Sequence, residues 1–363
     1  MGSSVRLPRH LRQNCVHYHV LRLNITNRID TYMPKVLITP EALIDCDGPH
    51  IDLLKDAGFE FAFPKNSQFT RGLGDEAEGV DELGGFDALI AGSEHVTAWM
   101  LERLPQLRVI ARNGVGYDRV DVPAATERNI VVAITPKSIH EAAAEHALAL
   151  LLAVSKQIVA GDRAVRAGEW PRDLIEPIRR KTIGILGLGR IGRSMAIRSA
   201  AFGMTVIAHD AFPDETFARE HNIELVSFDT LIERCDVLSI HCPNTADTHG
   251  IIDRDVLTRM KSNAILINTA RGPIVNEADL IAALQDGSIK AAGLDVFEQE
   301  PPAKDNPLFK LDNVVLTPHA AGADSLAMHD MAIESANNVI GLYKGEWPTG
   351  AVINAELQGK WSW

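Results

Sequence analysis

No apolar run in this chain approaches the roughly 18 residues that a membrane-crossing helix needs. The longest weakly polar stretch is Ala147 to Val154, so no segment is expected to cross a bilayer. Cysteine is as sparse. Cys15, Cys46, Cys235 and Cys242 are scattered and form no CxxC pair, which excludes a disulfide-stapled scaffold and a zinc cluster, implies no bound metal, and fits a reducing, cytoplasmic compartment. Positive charge is in deficit too. With 36 Lys and Arg against 48 Asp and Glu, the formal net charge is −12, so the chain offers no broad basic surface to a nucleic acid. What is present is ordinary for a folded protein: 46% hydrophobic and 23% charged residues over 363 positions. That length suggests about two domains.

The first 32 residues stand apart. Arg6, Arg9, Arg12, Arg22 and Arg28 face a single acid, Asp30, with no apolar periodicity. The segment lacks the apolar core of a secretory signal. It reads as a leader outside the fold: disordered, a transit-like arm, or a start upstream of a native Met33. From Lys35 to about Thr135, short β-rich runs (35 to 39, 59 to 62, 87 to 91, 108 to 111, 130 to 133) alternate with helical patterns (52 to 57, 97 to 103). Alternation of this kind predicts α/β layers on a parallel sheet. A Gly- and Pro-free helical pattern from Ser138 to Ile158 reads as a rigid connector. A second series follows, with strand cores at 182 to 186, 205 to 209, 236 to 240, 264 to 268, 291 to 296 and 314 to 316, and then a helix from about Ala323 to Tyr343. Gly114-Val115-Gly116 faintly echoes Gly187-Leu188-Gly189, as if two similar sheets were joined.

The sharpest local signal is Gly187-Leu188-Gly189-Arg190-Ile191-Gly192, set between a strand and a helix. In that context the three glycines do different things. Gly187 permits the tight turn, Gly189 lets the backbone approach a pyrophosphate, and Gly192 lets helix and strand pack closely. Asp210 closes the following strand. A carboxylate about 20 residues beyond the glycines accepts hydrogen bonds from ribose hydroxyls and repels a 2′-phosphate, so NAD is expected rather than NADP.

Three later residues follow strand ends, where ligands gather in open α/β sheets: Arg271 in Asn268-Thr269-Ala270-Arg271-Gly272, Glu300 before Pro301-Pro302, and His319 after Thr317-Pro318. Singly, each is as well read as a surface ion-pair partner or a loop residue. Jointly they suggest a site. His140 and His146, not spaced to share a helix face, read as packing or interdomain residues rather than a metal pair. Cys242-Pro243 follows a strand end and is expected to meet the cofactor through its backbone, not as a nucleophile.

The chain resembles the D-isomer-specific 2-hydroxyacid dehydrogenases in GLGRIG at 187 to 192, NTARGPIVNEADL at 268 to 280, GLDVFEQEPP at 293 to 302, TPHAAG at 317 to 322 and NGVGYDRVD at 113 to 121. The resemblance runs from Met33 to about Gly350. It implies two Rossmann-like domains: a flavodoxin-like substrate domain (33 to 135 and 319 to 351) with an NAD-binding Rossmann domain (136 to 318) inserted into it. It further implies a catalytic Arg271, Glu300 and His319, and a carboxylate grip from the N–H groups of Val115 and Gly116 together with Arg271. The cofactor contacts would be Gly187, Gly189, Arg190, Ile191, Gly192, Asp210, Cys242, Pro243, Thr269 and Asp295, the last beside the nicotinamide carboxamide. A homodimer with a contact near Trp170 is also implied. Family phosphoglycerate dehydrogenases carry an Arg-Ser pair after the third strand of the substrate domain, where this chain reads Ala91-Gly92-Ser93-Glu94-His95. The missing Arg and the added acid favour a small acid such as glyoxylate or hydroxypyruvate, with phosphoglycerate as the alternative. A corepressor-like NAD-sensing binding protein is the alternative of another class.

Overall fold

The computed structural model describes residues 32–363; the expected leader lies outside them except for its last residue. Its five leading strands, Lys35–Ile38 (β1), Glu60–Ala62 (β2), Ala88–Ala91 (β3), Val109–Arg112 (β4) and Val131–Ala133 (β5), form one sheet in the order β2-β1-β3-β4-β5, every pair parallel. Period-2 geometry sends neighbouring side chains to opposite faces. Val36 and Ile38 therefore join Leu54, Phe59 and Val339 on one side, and Leu37 joins Leu89, Ile110 and Val132 on the other. With both faces covered, the strands are almost wholly apolar, as parallel sheets require.

The second sheet contains Thr182–Leu186 (β6), Thr205–His209 (β7), Glu224–Leu225 (β8), Val237–Ile240 (β9), Ile265–Asn268 (β10), Ala291–Leu294 (β11) and Val314–Leu316 (β12). Their order is β12-β11-β10-β9-β6-β7-β8, again parallel throughout. The short edge strand β8 has no counterpart in the sequence reading, since two residues carry no period. In each sheet the chain reverses its direction of travel beside a central strand, between β1 and β3 and between β6 and β9. Those reversals open crevices at the carboxyl ends of the strands.

The connector is not one rigid rod. A helix spans His140–Ser155, breaks where Gln157 takes the left-handed conformation (φ 51), and resumes as Ile158–Arg166 at an angle of 55°. No Gly or Pro marks the break. The first segment buries Ala144, Ala147 and Leu151 with Ile183 and Ile185 of the second sheet and Met195 of the helix Arg190–Ala201, while the second segment buries none of its residues. Its packed face ends, and the helix ends with it. Among the described residues no single helix is long and apolar enough to cross a membrane.

The final helix, Ser325–Tyr343, returns to the first sheet, where Ala332, Ala336 and Val339 join its core. The first-sheet unit extends past the expected limit at 351. Val352 pairs antiparallel with Ala133, and Ile353 N–H donates to Val132 O at 2.9 Å. Asn354, 1% exposed, accepts from Val132 N–H at 2.9 Å and donates to Ile130 O at 2.8 Å. Trp363 packs edge-on against Phe59 and Tyr343. Deleting residues 352–363 is therefore expected to cost about 3 kcal/mol or more, because it strips aromatic burial and leaves the β5 edge groups unpaired. A thermal melt checks this; an unchanged midpoint would show the segment to be dispensable.

Candidate active site

Arg271, Glu300 and His319 follow the ends of three different strands, β10, β11 and β12, and Glu300 meets His319 directly. The turn after β10 is knitted by Asn268, whose amide donates to Arg271 O at 2.9 Å and whose Oδ1 accepts from Ala270 N–H at 3.0 Å. Gly272 follows, and a Cβ there would sit 1.8 Å from Phe297 O. Only glycine lets this turn press against the segment leading to Glu300. Arg271 then crosses to the first-sheet side, where its Nε donates to Asp118 Oδ1 at 2.7 Å; its Nη1 donates to its neighbour Ala270 O at 2.7 Å. Its remaining nitrogen lies over Gly116, since a Cβ on Gly116 would fall 1.5 Å from Arg271 Nη2. The N–H groups of Val115 and Gly116 have no partner among the described residues. Beneath them Arg112 donates from Nε to Gly116 O at 2.9 Å and holds the turn from behind.

His319 is left-handed (φ 52) and half-exposed, its backbone N–H bound to Asp295 O at 2.8 Å. Its Nδ1 lies 2.7 Å from Glu300 Oε2, while Glu300 Oε1 accepts from Phe297 N–H at 3.2 Å. Burial opposes the charged form of Glu300, but the His319 hydrogen bond and charge, the Phe297 N–H and Arg119 outweigh it and hold the carboxyl below its ordinary value. An ionised Glu300 makes Nδ1 the protonated nitrogen, which leaves Nε2 facing no protein partner among the described residues.

Asp295 is held within the protein. It is 0% exposed, its carboxylate accepting from Thr317 Oγ1 at 2.6 Å, Ala320 N–H at 2.8 Å and Ala321 N–H at 2.9 Å, with His146 Nε2 at 3.4 Å. These bonds anchor the loop that carries His319. His146, read from the sequence as a packing residue, joins that anchor and also meets Thr317 Oγ1 at 3.0 Å. Glu94 differs from the expectation. Instead of projecting a charge, it is 0% exposed and accepts from Thr39 Oγ1 at 2.5 Å and from Gly92 N–H at 3.0 Å. Burial raises its pKa, with Arg112 nearby offsetting part of the effect. The acid thus folds inward, and a cation, Arg119, meets the Ser93 carbonyl instead.

At the second reversal the glycine loop fits a dinucleotide. Gly187 is left-handed (φ 95), and a Cβ there would meet Cys242 N at 2.5 Å; a Cβ on Gly192 would lie 2.0 Å from Gly187 O. Gly189 caps the helix Arg190–Ala201 and has open space where a Cβ would stand. A pyrophosphate could approach only over such a backbone. Asp210 takes Leu188 N–H at 2.6 Å and Phe212 N–H at 2.7 Å, tying the loop to the end of β7. Arg190 donates to Pro136 O at 2.9 Å, and Ile191 is half-buried beside it. Pro243 is exposed, whereas burial pushes the Cys242 thiol up to about 11, so this cysteine offers backbone and not a nucleophile. Thr269 Oγ1 and Asn244 Oδ1 are buried with no hydrogen-bond partner, as polar groups awaiting a ligand would be.

Residues 148–321 match the model of the D-isomer specific 2-hydroxyacid dehydrogenase NAD-binding domain. A glyoxylate reductase from Korarchaeum cryptofilum is 41% identical over 285 residues, which is 77% of this chain and 86% of that protein. The chain belongs to the D-isomer specific 2-hydroxyacid dehydrogenase family. This dehydrogenase is therefore an NAD-dependent oxidoreductase acting on a CH–OH group. It is also 41% identical to a D-3-phosphoglycerate dehydrogenase from Archaeoglobus fulgidus over 269 residues, 73% of this chain but 51% of the relative; it spans about half the length of that relative. A D-lactate dehydrogenase from Aquifex aeolicus, solved with NAD and lactic acid, superposes with a TM-score of 0.76 at 28% identity, covering 88% of this chain and 98% of that one. Three residues that the sequence reading did not single out contact these groups: Asp118 meets Arg271, Arg119 meets Glu300 and Thr317 meets Asp295. Their signal was two charges one residue beyond the Gly114-Val115-Gly116 turn, and a hydroxyl next to the proline that precedes His319.

Proposed function

We infer that this dehydrogenase interconverts a small 2-keto acid of the glyoxylate or hydroxypyruvate kind and its 2-hydroxy acid, using NADH. The observation that carries the reading is the 2.7 Å contact between His319 Nδ1 and Glu300, opposite an Arg271 whose free nitrogen lies over Gly116. Gly187, Gly189, Gly192 and Asp210 would hold the cofactor, with Thr269 and the backbone at Cys242 beside it. When bound, the cofactor supplies or accepts the hydride. Reduction builds negative charge on the substrate oxygen. His319 meets that charge with the proton on Nε2, while Glu300 stabilises the imidazolium and fixes its tautomer. Arg271 and the N–H groups of Val115 and Gly116 grip the carboxylate. We take residues 33 to 135 with 319 to 363 as the substrate domain and 136 to 318 as the cofactor domain.

Phosphoglycerate is the second reading, and Arg119 beside Ser93 favours it by restoring a cation where Glu94 alone would have repelled. For assembly, the segment from Ile158 to Ile175 exposes Ile158 (58%), Val165 (53%), Trp170 (76%) and Leu174 (101%). An apolar surface of that kind supports a homodimer, and the free thiols of Cys46, Cys235 and Cys242 support a cytoplasmic location. A panel of glyoxylate, hydroxypyruvate, pyruvate and 3-phosphohydroxypyruvate, each with NADH and NADPH, tests the reading. Glyoxylate or hydroxypyruvate with NADH should give the highest kcat/KM, by about tenfold or more. Preference for the phosphorylated acid would establish the second reading. Tight NADH binding without turnover of any acid would overturn both and favour a binding protein.

A further inference from the structure

Glu300 Oε2 is shared. Besides His319 Nδ1 at 2.7 Å, the same oxygen faces Arg119 Nη2 at 3.5 Å, and the two side chains of that ion pair are 19% and 20% exposed. Arg119 belongs to the opposite side of the cleft. It follows the Val115-Gly116 turn, and the parallel bridge between Val96 and Val120 fixes its backbone: Val96 N–H donates to Arg119 O at 2.8 Å. The other arm of its guanidinium donates to Ser93 O. A planar fork that engages both sides at once is something neither Lys nor Gln can reproduce.

We propose that Arg119 is a positioning residue for proton transfer: by drawing on the oxygen that holds His319, it weakens the grip of Glu300 on the imidazolium and makes His319 a stronger acid. The inference rests on His319 and Glu300 acting as proposed above. The charged neighbours divide in a way that leaves Arg119 as the adjustable one. Asp295 lies behind the loop with its carboxylate bound to Thr317, Ala320 and Ala321. Arg271 is paired with Asp118, and the Glu94 carboxylate is held by Thr39 and Gly92. Arg112 stands half-buried behind the turn, bonded to Gly116 O. His95 stands on the far side of Arg119, where burial first, then Arg119 and Arg112, lower its pKa, so it adds no competing positive charge near neutral pH. His146 faces Asp295 and Thr317 rather than Glu300.

The sign follows from charge alone. Without Arg119, all of the Glu300 charge serves the imidazolium, which then survives to higher pH. In Arg119→Gln the midpoint of the pH profile of kcat/KM should rise by about 0.5 to 1 pH unit. Reduction, which needs the imidazolium, should persist to higher pH. Oxidation, which needs the neutral ring, should begin at higher pH. Arg119→Lys, keeping the charge and losing the fork, should return the midpoint most of the way. Arg119→Met, which keeps the stem and drops the charge, serves if the Gln variant does not fold. Glu300→Gln, measured alongside, should move the midpoint the other way. A uniform loss of kcat at all pH values with an unmoved midpoint overturns the proposal and makes Arg119 merely structural. If Glu300→Gln still shifts the profile in that case, the His319–Glu300 pair stands and Arg119 alone falls. If neither variant shifts it, both readings fall.

Discussion

Replacing His319 with Gln should lower kcat for keto-acid reduction by about 10² or more while leaving NADH affinity intact. Gln can still donate a hydrogen bond to Glu300, so the loop should keep its place. That loop is fixed independently by Asp295, through the N–H groups of Ala320 and Ala321 and through the backbone N–H of residue 319 itself. What is lost is the imidazole that donates and accepts the proton. Because the glycine loop and Asp210 lie at the ends of β6 and β7, well along the sheet from the β12 end that leads to His319, cofactor binding has no reason to follow. Stopped-flow single turnovers beside NADH fluorescence titrations separate the two. Parallel losses in both would indicate a collapsed loop rather than a missing acid, and would sink the assignment.

Arg271→Lys should raise KM and lower kcat together, for a combined cost on the order of 2 to 4 kcal/mol in kcat/KM. The wild-type guanidinium divides its work, giving one nitrogen to Asp118, one to Ala270 O, and leaving the third over Gly116. A lysine ammonium is a single point on a flexible stem. If it pairs with Asp118 it cannot also reach the substrate, and if it reaches the substrate Asp118 loses its partner. Burial works against the ionised form of Asp118, which Arg271 and Arg112 hold below the ordinary carboxylate range, so an unpartnered Asp118 would also repel an incoming carboxylate. Steady-state kinetics on the best acid of the panel checks the prediction. A change in KM alone would mean that Arg271 holds the substrate carboxylate and never meets the developing charge.

Much of this architecture was legible from residue pattern because it rests on local rules. Fully buried parallel strands must be short apolar runs between helical patterns, and the runs at 182 to 186, 205 to 209 and 314 to 316 coincide with β6, β7 and β12 residue for residue. Gly187 and Gly192 were readable because their backbone cannot tolerate a Cβ against Cys242 or against the carbonyl of Gly187. Where the pattern misled, a distant partner had decided the outcome. The break at Gln157 carries no Gly or Pro, and depends on where the second sheet stops offering a surface to the helix. The segment after 351, which carries no pattern of its own, finds its partners on β5, Phe59 and Tyr343.

The same division runs through the site. Sequence by itself determined which chemical groups are available: a glycine turn for an anion, an acid at the end of β7, and an arginine, a glutamate and a histidine each placed just past a strand. Those follow from residue type and from the geometry of the nearest strand or turn. Only the tertiary structure decided how each charge is used. Asp295 and Glu94 bear the same carboxyl group as Glu300, yet both are wholly buried and engaged by N–H and hydroxyl donors, whereas Glu300 lies between His319 and Arg119. A carboxylate's role is set by which donors surround it and by how much water it keeps. Those donors come from the other sheet, from Thr39, from Arg119 or from the loop after β12, positions that no local reading of the chain brings together.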